Sequence, residues 1–149
     1  MDSKDGQILR LLQKNAKISN VKLAEEIGLT PPATSERVKK LEETGLIEGY
    51  HARLDGNKLG YKVPVLIAIS LVRHQEKDIK DFVRFLKTTP EITHYYHVTG
   101  AYDYLLQINM KDINDLRDFL INKLTGKKGI NKAETFLIMD EFHSPLPVD

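Results

Sequence analysis

Residues Val21 to Tyr50 read VKLAEEIGLTPPATSERVKKLEETGLIEGY, and the reading of this stretch decides the architecture of the N-terminal part of the chain. Leu23, Ala24 and Ile27 recur at helical spacing and give one narrow apolar stripe. Gly28 follows, at the place where a helix closes most cheaply through a left-handed residue. Thr30 offers a hydroxyl to a free backbone N–H as an N-cap, and Pro31 suits the first helical position, whose N–H would be unpaired anyway. The spacing predicts a second helix over Pro31–Thr44, stopped at Gly45. Its Thr34, Val38 and Leu41 share one face. Pro32, Ala33, Glu36, Lys39, Lys40 and Glu43 lie opposite, with Ser35 and Arg37 on the flanks. Two short helices joined through a small-residue turn form a helix-turn-helix, whose second helix is shaped to enter a DNA major groove.

The flanks extend the motif. Asp5 to Asn15 carries Ile8, Leu9, Leu11 and Leu12, a helix that would cover the open side of the pair, with Asp5 near its N-terminus where a carboxylate is favoured. Leu46 to Leu54 is strand-like. Three helices and a short wing make a winged helix-turn-helix over residues 1–54. Charge lends this no support, because residues 1 to 55 hold nine Lys and Arg against nine Asp and Glu. A basic domain is the usual mark of nucleic-acid binding. Here Arg37, Lys39, Lys40 and Arg53 must gather on one surface instead, and modest affinity per copy calls for dimerisation.

Asp55 to Gly60 is turn-rich and marks a linker over 55–61. Beyond it the pattern changes. Val63 to Val72 is a β-branched apolar run, and Glu76 to Leu86 carries Ile79, Phe82, Val83 and Leu86 on one helical stripe. Ile92 to Val98 and Tyr104 to Met110 read as strands joined through Thr99 to Asp103. Asp112 to Leu124 is a helix with Ile113, Leu116, Phe119, Leu120 and Leu124 inward, broken at Gly126 to Gly129, and Ala133 to Phe142 is a last strand. The order is βαββαβ, a ferredoxin-like unit over 62–143 with both helices on one face of an antiparallel sheet. Residues 144–149 form an extended or frayed tail. The fold class is α+β.

At 149 residues the chain makes one large or two small domains, and 41% hydrophobic content fits a folded core. No apolar run approaches a membrane span, and Met1 to Asp5 is too polar to open a signal peptide, so a cytoplasmic protein without a membrane partner is expected. The absence of cysteine excludes disulfides and Cys-based zinc or iron–sulfur sites. No Gly-rich phosphate loop, HExxH or Ser-centred nucleophile motif is present. His94 and His97 lie three apart on a strand and point to opposite faces, His97 with Tyr95 and His94 with Tyr96, so they do not share a metal. No enzyme activity, catalytic residue, cofactor or metal is expected.

The chain resembles the Lrp/AsnC (feast/famine) family of prokaryotic transcription regulators. The residues that carry the resemblance begin with Asp5 and Ile8-Leu9, then Ile18-Ser19, Leu23-Ala24-Glu25 and Ile27-Gly28-Leu29. They continue with Arg37-Val38, Leu41-Glu42, Gly45-Leu46-Ile47 and Gly49-Tyr50. Leu59-Gly60 and Gly100-x-Tyr102-Asp103-Tyr104-Leu105 follow downstream. Lys17 stands for a frequent Arg, Thr30 for a frequent Ser and Ala101 for a frequent Asp, which takes one polar group from the expected effector pocket.

The resemblance implies a regulator whose partners are double-stranded DNA, a small effector (an amino acid) and further copies of itself, as a dimer and then a tetramer or octamer. Recognition helices of a two-fold dimer would enter successive major grooves. Ser35, Lys39, Lys40 and Arg53 would hold phosphates, while Pro32, Glu36 and Arg37 meet base edges. The second domain would dimerise through its sheet and bind effector between dimers. An amino acid needs an ammonium acceptor, backbone donors for its carboxylate and apolar walls. Asp103 would be the acceptor and Gly100 the point of close backbone approach, with Tyr102 and His97 beside them and Ile113, Phe136 and Ile138 as walls. Each also has an ordinary reading: Asp103 as a turn cap, and the three apolar residues as core. Two rival functions stand beside this one. Siroheme decarboxylases resemble the family in fold and use basic residues on a porphyrin, and an amino-acid-binding module that no longer binds DNA would suit the neutral N-terminal part.

Overall fold

The computed structural model describes residues 1–72, 76–127 and 129–148. Lys128 of the expected Gly126 to Gly129 break and Asp149 of the tail lie outside them. The chain divides into two compact units: Met1–Arg53 together with the residues from Phe142 onward, and Leu54–Glu141.

In the first unit Asp2 starts helix α1, Ser3–Lys14. Its carboxylate accepts the N–H groups of Lys4 and Asp5 at 2.9 Å each, and the Asp5 carboxylate accepts the N–H of Asp2 at 2.9 Å. This reciprocal box satisfies donors that a helix start leaves free. Helix α2, Asn20–Ile27, is capped by Ser19 and closes at Gly28, whose φ of 66° is the left-handed conformation that only glycine adopts without cost. Helix α3 spans Pro31–Glu43 with Thr30 at its N-cap, but the Thr30 hydroxyl makes no capping bond. The reason lies in the next two residues: Pro32 at the second helical position has no N–H to give, which removes one of the two usual donors. Ile8, Leu23, Ile27 and Leu41 form the core, with Leu9, Leu11, Leu12, Ile18, Leu29, Val38 and Ile47 packed around it.

Residues 46–54, expected as a strand-like wing, join no ladder among the described residues. Ile47 donates its N–H to Leu41 O at 3.0 Å, and the Tyr50 hydroxyl reaches Glu42 Oε1 at 2.8 Å. Single bonds to the end of α3 hold the segment, since a strand needs a neighbour for its outward N–H and C=O groups and none lies alongside.

The second unit runs β1 Val63–Leu71, α4 Glu76–Thr88, β2 Ile92–His97, β3 Tyr104–Met110, α5 Ile113–Asp118 with a π-helical continuation Phe119–Leu124, and β4 Ile130–Leu137. The strands form one antiparallel sheet in the order β2-β3-β1-β4. This is the ferredoxin-like arrangement, with the most apolar strand inside. Alternation sends Val63, Val65, Ile67 and Ile69 of β1 and Tyr104, Leu106, Ile108 and Met110 of β3 to one face. There they pack on Phe82 and Leu86 of α4 and on Phe119 and Leu124. Burying each such side chain contributes on the order of 1.5–3 kcal/mol. The opposite face carries the cross-strand pairs Leu66–Phe136, Ala68–Glu134, Tyr96–Leu105 and His94–Gln107.

The helix expected over Asp112 to Leu124 changes character midway. Asp112 caps it, accepting the N–H groups of Asn114 and Asp115 at 2.7 and 3.0 Å. From Phe119 the turns widen, and Thr125 donates its N–H to Leu120 O, five residues back, at 2.9 Å. Ile113, expected inward, is 62% exposed. It is the first helical residue and lies in the bend leaving β3.

Candidate nucleic-acid interface and effector site

Helix α3 is held from behind. Its Thr34 and Leu41 are buried, and the Thr34 hydroxyl donates to Thr30 O at 3.0 Å. Asn20 Nδ2 donates to Pro31 O at 2.8 Å, tying the start of α2 to the start of α3. The outward side presents Pro32, Ser35, Glu36, Lys39 and Lys40, all exposed. Lys39 shares its charge with Glu43 at 3.5 Å along the helix, a solvated pair of little energy. The Lys40 ammonium and the side chains of Ser35 and Glu36 have no partner among the described residues. Arg53 is exposed at the end of the same unit.

Arg37 does not sit with them. Its Nη1 bridges Asp2 Oδ2 at 2.7 Å and Asp5 Oδ1 at 2.8 Å, so the guanidinium turns inward onto the start of α1 instead of toward a base edge. Both carboxyls lie below the ordinary carboxylate range. The cause for Asp2 is first the N–H of Asp5 and then Arg37; for Asp5 it is the N–H of Asp2, opposed by burial and aided by Arg37. The sequence carried a signal for this, an Asp three residues ahead of another Asp just before an apolar helical run. Tyr50, which entered the sequence analysis only through the family resemblance, also has a structural part. Burial and its bond to Glu42 push its hydroxyl up to about 12, so it remains a donor that fastens the segment after α3.

In the second unit the seven expected effector residues fall into separate places. Gly100 lies in the β2–β3 connection with φ 125° and nothing within 4 Å of where a side chain would begin. Asp103 is half-buried in the same connection. Its Oδ2 accepts the Leu71 N–H at 2.6 Å, and its own N–H donates to Ile69 O at 2.8 Å. The carboxylate therefore finishes the end of β1, with its second oxygen left over. The Tyr102 hydroxyl donates to Glu134, which Lys132 also meets, and the Lys132 ammonium lies 5.8 Å from the Tyr102 ring centre. The His97 ring stacks on Tyr104 with centres 4.8 Å apart and planes 15° apart.

Phe136 and Ile138 lie elsewhere. Phe136 pairs with Leu66, and the Ile138 N–H reaches Pro64 O at 3.0 Å. From Leu66 to Leu71 the strand advances about 16 Å at ~3.3 Å per residue, so within one chain these walls stand apart from Asp103. Phe136 is 48% exposed and belongs to no core. Ile113, at the start of α5, is separate again. One chain thus assembles His97, Gly100, Tyr102 and Asp103 around the hairpin; Phe136 stands two residues along β4 from the Glu134 that Tyr102 meets, and Ile138 lies farther along the chain.

Among the described residues no cluster of three or more His, Asp or Glu has metal-site geometry, and no helix is long and apolar enough to cross a membrane.

Comparison with known proteins agrees with this layout. Residues 1–48 match the family model for winged helix-turn-helix DNA-binding, and residues 64–146 match that of the Lrp/AsnC ligand binding domain. The leucine-responsive regulatory protein of Haemophilus influenzae is 36% identical over 141 residues, covering 95% of this chain and 85% of its own length. The transcriptional regulator AzlB of Bacillus subtilis is 36% identical over 139 residues, covering 93% and 88%. Among solved structures, the transcriptional regulator NMB0573 of Neisseria meningitidis in complex with L-Met superimposes with a TM-score of 0.94 at 29% identity, over 99% of this chain and 96% of that one. Escherichia coli AsnC gives 0.87 at 28% identity, over 99% and 97%. The chain belongs to the Lrp/AsnC family of transcriptional regulators.

Proposed function

We propose that this chain is a sequence-specific DNA-binding regulator in which α3 reads the operator and the second unit takes a small effector, an amino acid. The observation that carries the first half is the two-sided character of α3: Thr34 and Leu41 are buried, while Pro32, Ser35, Glu36, Lys39 and Lys40 stand exposed. Lys39, Lys40, Ser35 and Arg53 meet phosphates, and Pro32 and Glu36 meet base edges. Arg37 acts behind them as a positioning residue, because its bonds to Asp2 and Asp5 set where α3 lies on α1.

A neutral DNA-binding unit needs a second copy, and a two-fold dimer places two such helices about 34–36 Å apart, in successive major grooves. The sheet face bearing Leu66, Tyr96, Leu105 and Phe136 supports self-association through the second unit, as a dimer that builds to a tetramer or octamer. The scatter of the effector residues within one chain supports binding between copies, and the L-Met held by the Neisseria structure supports an amino acid as ligand. Such a ligand shifts assembly only through different affinities for the two states. A regulator of a prokaryotic chromosome acts in the cytoplasm.

Fluorescence anisotropy on the chain's own promoter tests the reading. Changing Lys39 and Lys40 together to Ala removes four phosphate contacts from a dimer and is expected to lower the salt slope of log K by about 3.6, at ~0.9 per contact. An unchanged slope removes both lysines from the interface. For the effector, a thermal-shift screen of the amino acids is expected to give a hit at or below about 1 mM, a binding energy of ~4 kcal/mol. Silence across the whole set removes the amino-acid reading.

A further inference from the structure

Helix α2 does not finish its own C-terminus. The last carbonyls of a helix lack helical partners, and a cation in the last turn is favoured beside them. The last turn of α2 holds no basic residue and carries Glu25 and Glu26 instead. The N–H groups of Gly28 and Leu29 turn back to Glu25 O at 3.3 Å and Ala24 O at 3.0 Å. That leaves the carbonyl of Ile27, a residue only 2% exposed. Its next helical donor would come from position 31, but Pro31 has no N–H. Among the described residues no backbone N–H reaches that oxygen. Another helix fills the gap: the half-buried Lys4 of α1 donates its ammonium to Ile27 O. Lys4 stands between Asp2 and Asp5, the pair that holds Arg37 of α3. The first turn of α1 therefore grips both helices of the motif, α2 at its last residue and α3 at its middle.

We propose that Lys4 is a positioning residue for operator recognition: its bond to Ile27 O, together with the bridge from Asp2 and Asp5 to Arg37, fixes the angle between α2 and α3. The proposal rests on the reading of α3 as the helix that meets DNA. Lys4 acts through that helix and touches no DNA itself, since its ammonium is spent on Ile27 O. Contacts to base edges hold only while the reading helix is placed within about 0.5 Å. Phosphate contacts carry no sequence information, and the long flexible stems of Lys39 and Lys40 re-aim to keep them. Loss of the Lys4 bond therefore lowers discrimination between sequences before it lowers general affinity for DNA.

The test measures anisotropy of the whole protein on two duplexes, the chain's own promoter and a scrambled sequence of the same length and composition. Lys4→Met keeps the unbranched apolar stem and drops the ammonium. It is expected to lower affinity for the promoter by about tenfold or more, the scale of one lost base-pair contact. Affinity for the scrambled duplex and the salt slope on both are expected to stay as in the wild type. Lys4→Arg, which still donates to Ile27 O, is expected to restore most of the promoter affinity. If Lys4→Met does not fold, Lys4→Gln, with an uncharged donor of shorter reach, is expected to lose promoter preference in the same direction. Equal losses on both duplexes assign Lys4 to stability alone, and a reduced salt slope makes it a phosphate contact. Either result overturns the proposal, as does a variant that prefers the promoter as strongly as the wild type. A wild type with no promoter preference is a different outcome, the failure of the sequence-specific reading itself.

Discussion

Arg37 spans two carboxylates that belong to another helix, 35 and 32 residues away in the chain. A helical wheel places Arg37 on the flank of α3, where it is half-buried, but has no term for what α1 brings to meet it, so the wheel does not name its partners. The same wheel placed Thr34 and Leu41 correctly, because burial of a face is a property of the helix alone. The bridge sets a pH dependence. Asp5 is held below its ordinary value of 3.8 by the N–H of Asp2 and by Arg37, against an opposing effect of burial. A carboxyl depressed by folding contributes stability that is complete above the unfolded value and is lost as pH falls through the folded one. The urea midpoint of the wild type is therefore expected to exceed that of Asp5→Asn by a constant amount between about pH 7 and pH 5, the gap closing below about pH 4. A gap that widens in acid, or none at pH 7, rules out the ion pair as a stabilising contact.

Strands and helices were legible to the extent that their pattern is internal. The alternation of β1 and β3 and the apolar stripe of α4 named most of the second unit's core, and the order of elements named its topology. Four things escaped. The last strand, expected over Ala133 to Phe142, spans Ile130–Leu137, because its ends are set by the stretch of β1 that it pairs with. The wing segment lacks a ladder because a strand depends on a neighbour, and the π-helical turn at Phe119 follows from no local residue preference. Phe136 and Ile113 are apolar residues that the single chain leaves uncovered, and apolarity alone does not say what covers them. Phe136 stands 48% exposed beside Leu66 on the sheet face away from α4 and α5. In the proposed assembly a second copy buries it. Phe136→Glu would leave a carboxylate in that contact, and an unpaired buried charge costs several kcal/mol, about 3–5 where measured. Light scattering on the variant is expected to show the monomer mass at concentrations where the wild type is a dimer or larger, with far-UV circular dichroism unchanged. A wild-type mass that survives the substitution places the contact elsewhere.

At the scale of the whole chain, the N-terminal unit is built from both ends of the sequence. The chain leaves it at Arg53 and returns at Phe142. The returning tail has no helix or strand, yet it is tied to α1: Arg10 Nη1 donates to Val148 O at 2.6 Å, Gln13 Nε2 to Leu146 O at 3.1 Å, and Leu146 N to Gln13 Oε1 at 2.8 Å. No periodicity announces such bonds. They join exposed polar residues 133 to 138 positions apart, and the tail's prolines and single leucine read simply as a loose end. Their energy is modest, because exposed hydrogen bonds net about 0.5–1.5 kcal/mol at most and Phe142 and Leu146 remain 86% and 77% exposed. Removing residues 142–149 is therefore expected to loosen α1 without unfolding it. Amide exchange is the measurement that resolves this, since it reports each element separately. Protection of α1 is expected to fall by about fivefold to tenfold, the factor that ~1 kcal/mol or slightly more produces. The amides of β1 in the other unit are expected to exchange as before. Equal protection of α1 with and without the tail would show that the three bonds do not persist in solution, and a loss shared by β1 would show that the tail supports the whole chain rather than the unit it rejoins.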